Sequence, residues 1–232
     1  MLQIILLWYT LAQVVVANVE KIIFTGPPPS TLPSSITDPV LSSLNIHTLT
    51  HDAPSVHTEL DRIFASAQSG LYGQSSWVSV GNLTENQRYE LRVCWSALEP
   101  TRFDIKAHAL EAVLEDPTLL KSINTFSASR QNAPVAEDSA ASLSEGSSSL
   151  LIEIRAAADY FTDDKELMSH PPPVLVDLIL DPFLANVLPY SLLPTMGYLL
   201  LVGITTWHVA RRIASGLQSV ATLTESKTKK KE

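Results

Sequence analysis

The stretch Asn82-Leu83-Thr84-Glu85-Asn86-Gln87-Arg88-Tyr89-Glu90-Leu91-Arg92-Val93-Cys94-Trp95 decides the fold. Its second half alternates. Tyr89, Leu91, Val93 and Trp95 fall on one face, and Glu90, Arg92 and Cys94 on the other. A period of two with one polar face marks a half-buried strand. Its first half is rich in turn formers, so the strand is entered through a tight connection.

A leucine followed six residues later by a tyrosine that opens a strand resembles the tyrosine corner of immunoglobulin-like sandwiches, where the hydroxyl closes onto upstream backbone. The antibody cysteine pair is absent, because Cys94 is the only cysteine. The resemblance is therefore to the fibronectin-like version, with a core and no disulfide holding it together. Cys94 itself reads as a packed small side chain.

Further strands are expected on both sides: Lys21 to Thr25, Ser76 to Ser79, Arg102 to Ala107, Leu150 to Arg155 and Val174 to Leu180. Short alternating runs separated by turn signals predict a mostly β immunoglobulin/fibronectin-like sandwich. Helical pieces are expected at His57–Ala67 and Leu110–Leu120. Proline triplets at 27–29 and 171–173 punctuate the chain, since proline fits neither helix interiors nor central strands. Residues 127–149 hold almost no large apolar side chain and predict a disordered loop. Thr31 to Ser55 also reads as loop.

The two ends set the topology. Residues 1–17 are almost wholly apolar and close on Val15-Val16-Ala17, the pattern of a cleaved signal peptide. Residues 191–210 contain no Asp, Glu, Lys or Arg, and about 20 residues match a hydrocarbon core of about 30 Å. Arg211 and Arg212 follow at once as a stop-transfer signal. The segment after them, 211–232, carries six Lys or Arg against two Glu, a net of +4. The whole chain is −8, so the remainder is −12. A basic tail behind an acidic ectodomain predicts a type I membrane protein of the endoplasmic reticulum, with residues 18–190 in the lumen and a basic cytosolic tail. The acidity argues against nucleic acid as a partner.

Lys229 and Lys230, fourth and third from the C-terminus, resemble a dilysine retrieval signal. Asn82-Leu83-Thr84 is the one N-glycosylation sequon, which makes Asn82 the acceptor. Residues 181–194 are apolar and broken by Pro182, Pro189 and Pro194. This segment predicts a docking surface on lipid or a partner, with Asp181, Phe183, Leu184 and Leu188 beside those prolines.

No residue pattern points to catalysis, a metal or a cofactor. The six histidines are scattered, and His47 and His51 lack a helix to align them. No Gly-rich phosphate loop and no G-x-S-x-G elbow is present. Asp163-Asp164, Asp177 and Asp181 have no acid–base partner in sequence and read as structural.

Laid in order, three stretches carry a wider resemblance: NVEKIIFTGPP, SSWVSVGNLTENQRYELRVCWSALEPTRFDI and LVDLILDPFLANVLPYSLLPTMGYLLLVG. They are similar to the fungal accessory subunit of GPI-mannosyltransferase II, which adds the second mannose in glycosylphosphatidylinositol anchor synthesis. The resemblance implies a non-catalytic subunit. Its partner would be a separate multi-span mannosyltransferase that uses dolichol-phosphate-mannose. A type I cargo receptor of the reticulum–Golgi cycle shares the topology and the lysine tail, but the p24 kind carries a lumenal cysteine pair and a heptad stalk, neither of which is present. A lumen-facing enzyme is the third possibility.

Overall fold

A computed structural model describes residues 18–29, 43–66, 72–130 and 148–228, the side chains of 219–228 excepted. The described chain divides into two units, one ending at Asn186 and one beginning at Val187.

The first unit is a two-sheet sandwich. One sheet holds β1 (Val19–Thr25), β6 (Arg88–Trp95), β9 (Val174–Leu184) and β3 (Ser55–Leu60) in that spatial order, every neighbour antiparallel. The other holds β2 (His47–Leu49), β5 (Gln74–Leu83), β8 (Ser148–Ala158) and β7 (Thr101–Ala109). In it β5 and β7 flank β8 as antiparallel partners, and β2 lies parallel to β5. Strand β4 (Ile63–Phe64) pairs with Ala157 and Ala158, just past the point where β5 begins at Gln74 opposite Ala156. The β-sandwich expected from the sequence is what forms. The parallel edges β2 and β4 were not foreseen.

Alternation places the core. Leu91 and Val93 from β6, Val176, Leu178 and Leu180 from β9, and Val78, Val80, Ile152 and Ile154 from the second sheet meet between the layers. Every one is buried. The opposite face of the second sheet is also apolar: Trp77 and Leu151 point away from the sandwich core. They are covered by α1 (Leu110–Glu115) and α2 (Pro117–Arg130) through Leu110, Val113 and Ile123. The Trp77 indole N–H donates to Ser122 Oγ at 3.1 Å, which satisfies the one polar atom of a buried ring. Helices on this face make the unit three layers deep.

Three expectations need correcting. The helix expected over His57–Ala67 is instead β3 and β4, because Val56, Thr58 and Leu60 turn inward at a period of two and His57 stands opposite Asp177 of β9. The helical reading from Leu110 holds but breaks at Asp116. There Pro117 opens a second helix that runs ten residues past Leu120, to Arg130. Proline suits the first position of a helix, and the Asp116 carboxylate accepts from the Thr118 N–H (2.8 Å) and hydroxyl (2.6 Å). Ser127–Arg130 are thus the last turn of α2 and Ser148–Ser149 open β8, neither of them loop, and the loop expectation for 131–147 lies outside the described residues.

The tyrosine corner is present. The Thr84 N–H donates to the Tyr89 hydroxyl at 2.9 Å. Gly26, at the end of β1, packs under the same loop: its N–H donates to Gln87 O (2.8 Å) and its carbonyl accepts from the Asn86 N–H (3.0 Å). A Cβ at Gly26 would stand 2.1 Å from Thr84 O, so only glycine allows this approach.

The second unit is simpler. A two-residue strand, β10 (Leu188–Pro189), and a single 3-10 turn (Tyr190–Leu192) lead into α3 (Leu193–Thr228). Tyr190–Gln218 is long and apolar enough to cross a membrane. At about 1.5 Å per residue, the 36 residues of α3 run roughly 54 Å, well beyond a hydrocarbon core of about 30 Å. The helix continues through Arg211 and Arg212 and on to Thr228.

Candidate functional site

Among the described residues, the corner loop that carries the sequon and the end of β9 lie at one end of the sandwich, where the Gln87 amide donates to Phe183 O and Tyr89 stands opposite Pro182. Residues 1–17, Lys229 and Lys230 lie outside the described residues.

Asn82 sits on β5 between Val80 and Leu83, where the register with β8 shifts. Its φ is +56°, a left-handed conformation that asparagine tolerates better than most residues. Two residues on, Thr84 is exposed and its backbone is held by Tyr89. The sequon is therefore half on a strand and half in the corner loop.

Asp181, Pro182 and Phe183 belong to β9 and are not part of a free connecting segment. Asp181 and Phe183 are buried, so neither can present a surface to a partner. Pro182 stands opposite Tyr89, beyond Ile179, where the pairing of β9 with β3 ends, so its missing N–H interrupts no bond to β3. Leu184 is half exposed. In the second unit Pro194 is exposed, and Leu188 and Pro189 are partly covered.

Asp181 belongs to an ion network on the outer face of the first sheet. Glu90 and Asp181 are directly opposite across β6 and β9. The Arg92 guanidinium reaches Asp181 at 3.3 Å and Glu90 at 3.6 Å, and Lys21 of β1 meets Glu90 at 3.0 Å. Both carboxylates keep only 4 % of their surface. Two cations and two anions form a neutral set, which is how buried charge is tolerated.

One row further along the same face, Cys94 stands opposite Asp177, and Asp177 stands opposite His57. His57 Nδ1 and Asp177 Oδ1 are 2.6 Å apart, both well exposed. The Cys94 thiol is half-buried, less than the packing role expected for it. Burial raises its pKa, Arg92 lowers it and Asp177 raises it. The net is upward, which keeps the sulfur a protonated and weakly nucleophilic thiol. Asp177 lies between Cys94 and His57 in the strand order, so the histidine is not placed to take the thiol proton.

A shallow groove of about 460 Å³ runs past His57, Glu59, Asp61, Phe126 and Arg130. Arg130 is committed to the fold: its Nη2 lies 2.8 Å from His47 Nε2, and its carbonyl accepts from the Asn45 amide. Burial, and then Arg130, hold the His47 pKa below the ordinary imidazole value. Among the described residues no group of three or more His, Cys, Asp or Glu is arranged to hold a metal ion.

One residue that the sequence did not single out organises a whole end of the sandwich. Arg62, between β3 and β4, is buried. Its Nε donates to Pro172 O (2.7 Å), and its Nη1 to Thr101 Oγ1 (2.7 Å) and Pro100 O (3.3 Å). It also lies over the Tyr160 ring at 5.4 Å. A lone arginine in a mixed segment carries no motif, so only the folded geometry identifies it.

No curated protein and no solved structure matches the chain. A family model described as Pga1, GPI-Mannosyltransferase II co-activator, matches residues 8–131. The match takes in residues 8–17 of the signal-like segment, the tyrosine corner and both helices that cover the second sheet. With 124 of its 232 residues under that match, the chain belongs to the family of GPI-mannosyltransferase II co-activators.

Proposed function

We propose that the chain is a non-catalytic, membrane-anchored subunit of the GPI-mannosyltransferase II complex in the endoplasmic reticulum, supporting addition of the second mannose. The family match over residues 8–131 carries this reading. The ion pairs support the non-catalytic part: the carboxylates nearest to an acid–base set are engaged in holding β-strands together.

In this reading residues 1–17 are a removed signal and residues 18–190 face the lumen. Residues 191–210 span the membrane within α3, and 211–232 are cytosolic. The apolar run 191–210 within α3 and the double arginine that follows that run support this orientation. Lys229 and Lys230 would act as the retrieval signal. Asn82 would carry a glycan. The partner is the multi-span catalytic subunit, and membrane contact comes through α3. Leu184, Leu188, Pro189 and Pro194 remain as docking residues, with Asp181, Pro182 and Phe183 withdrawn into β9.

Co-purification tests the assignment. A tagged full chain in mild detergent should bring down a GPI-mannosyltransferase, and cells lacking the chain should stall anchor precursors at one mannose. Capture of no transferase, or a stall at another step, would overturn it.

A further inference from the structure

We infer that the end of the sandwich built around Arg62 is the docking tip for the mannosyltransferase, taking a lumenal surface of that partner with an apolar pocket and a basic rim. The inference rests on the subunit reading above and names the surface through which the subunit would act.

Three loops meet at this end. Loop 96–100 leaves β6, residues 159–164 leave β8, and residues 170–173 enter β9. The short helix Lys165–Ser169 lies between the last two. The Asp159 N–H donates to Pro100 O at 3.0 Å, and the Tyr160 hydroxyl donates to Leu167 O at 3.1 Å. Arg62 ties the set together from below through Pro100, Thr101 and Pro172 and stacks on Tyr160. Phe64 meets Tyr160 edge-on at 5.2 Å. The scaffold is fixed before any partner arrives, which lowers the ordering cost of binding.

On this scaffold stand Leu98 at 90 % and Phe161 at 85 % exposure. No other large apolar residue of the first unit exceeds 50 % among the described residues. Both flank the Pro100–Asp159 hydrogen bond, each two residues away, and Leu167 adds a partly exposed third side chain. Isolated exposed hydrophobics need no explanation, but the two extremes of a domain on one bonded platform do. A buried aromatic or aliphatic anchor is what an interface centre uses.

The surrounding charge selects the occupant. Five carboxylates lie on these loops, at Glu99, Asp159, Asp163, Asp164 and Glu166, against Lys165 and the Asp159-paired Arg102. An acidic ring repels an anionic membrane surface and another copy of the same tip, and attracts a basic protein surface. The tip also lies at the far end of the sandwich from Asn186: β6 ends here at Trp95 and β9 starts here at Val174.

The test is co-purification of the full chain with GPI-mannosyltransferase, using Leu98→Ser with Phe161→Ser. Capture should fall at least about tenfold, as loss of a central anchor predicts. The thermal midpoint should stay put, and Leu114→Ser on α1 should capture normally. A second variant, Glu99→Lys with Asp163→Lys, should weaken capture. Undiminished capture by both variants overturns the tip and leaves the subunit reading standing. Failure of the wild type to capture the transferase overturns both. Tip-dependent self-association in light scattering, or tip-dependent flotation with phosphatidylcholine vesicles, would reassign the surface and overturn the inference.

Discussion

Arg92 offers the sharpest test of the claim that the acidic face of the first sheet is structural. It lies between Glu90 and Asp181, two carboxylates opposite one another and each only 4 % exposed. Arg92→Met keeps the stem and removes the guanidinium. Glu90 then has Lys21, whose side chain is 55 % exposed, and Asp181 loses its contact with Arg92. Removing one partner of a buried charge set costs about 3–5 kcal/mol, because the remaining charge is left uncompensated. For a domain of this size each kcal/mol lowers the midpoint by roughly 2–4 °C, so a fall of about 10 °C is expected. The assay is thermal unfolding of the full chain in mild detergent, followed by tryptophan fluorescence from buried Trp77 and half-buried Trp95. The triple variant Arg92→Met, Glu90→Gln, Asp181→Asn removes both carboxylate charges with the guanidinium and should recover most of the loss. A single variant that costs less than about 1 kcal/mol, or a triple variant no better than the single, would refute the reasoning. So would a stable triple variant that captures the transferase but no longer supports mannosylation, since that would make the carboxylates functional.

Other outcomes follow from the same geometry. Gly26→Ala puts a methyl group 2.1 Å from Thr84 O, and the forced retreat should cost about 1–3 kcal/mol in urea unfolding. Trp77→Ala empties the space between the second sheet and the helices and should cost about 3–5 kcal/mol in the same measurement. The Asp116 carboxyl is held below its ordinary pKa, chiefly by the Thr118 hydrogen bonds, so its contribution is present above the unfolded value and lost as pH falls through the folded one. Asp116→Ala should therefore differ most from wild type at neutral pH and converge on it below about pH 4, in midpoints measured across pH. Asn82→Gln should abolish a glycosidase-sensitive shift on gels; an unshifted wild type would remove Asn82 as an acceptor.

The strands legible in the sequence were those long enough to show a period. Leu150, Ile152 and Ile154, or Leu91 and Val93, repeat often enough for one face to declare itself. Strands β2 and β4, three and two residues long, have no period to read. Strand β3 has one, but it ends at Leu60 beside Asp61-Arg62-Ile63-Phe64, and the combined apolar spacing imitates a helix. The last turn of α2 was hidden by composition: only Ile123 and Ser127 of that helix are fully buried, so its serine-rich end looks like linker. The charged network was half visible. Alternation placed Glu90 and Arg92 on one face, but their burial depends on Asp181, far along the chain, arriving opposite Glu90. Pro182 and Pro189 made residues 181–194 look like a broken connector, and tertiary pairing overrode that for the first four.

The family match ends at residue 131, yet the folded unit does not. Strand β8 lies between β5 and β7, and β9 lies between β6 and β3. Both follow the matched region, and each is the strand that joins its neighbours into a sheet. Without β8 and β9 the matched strands would keep only the pairings β1–β6 and β2–β5. Leu91, Val93, Val78 and Val80 would lose the Leu178, Leu180, Ile152 and Ile154 side chains they pack with. The conformation of the matched part is therefore set by strands outside it, and the Arg62 platform is built from both: Pro100 and Thr101 within the match, Tyr160 and Pro172 beyond it. A surface assembled in that way exists only when the whole sandwich has closed, so a truncation at residue 131 should neither fold nor capture the transferase, even though it retains the matched segment in full.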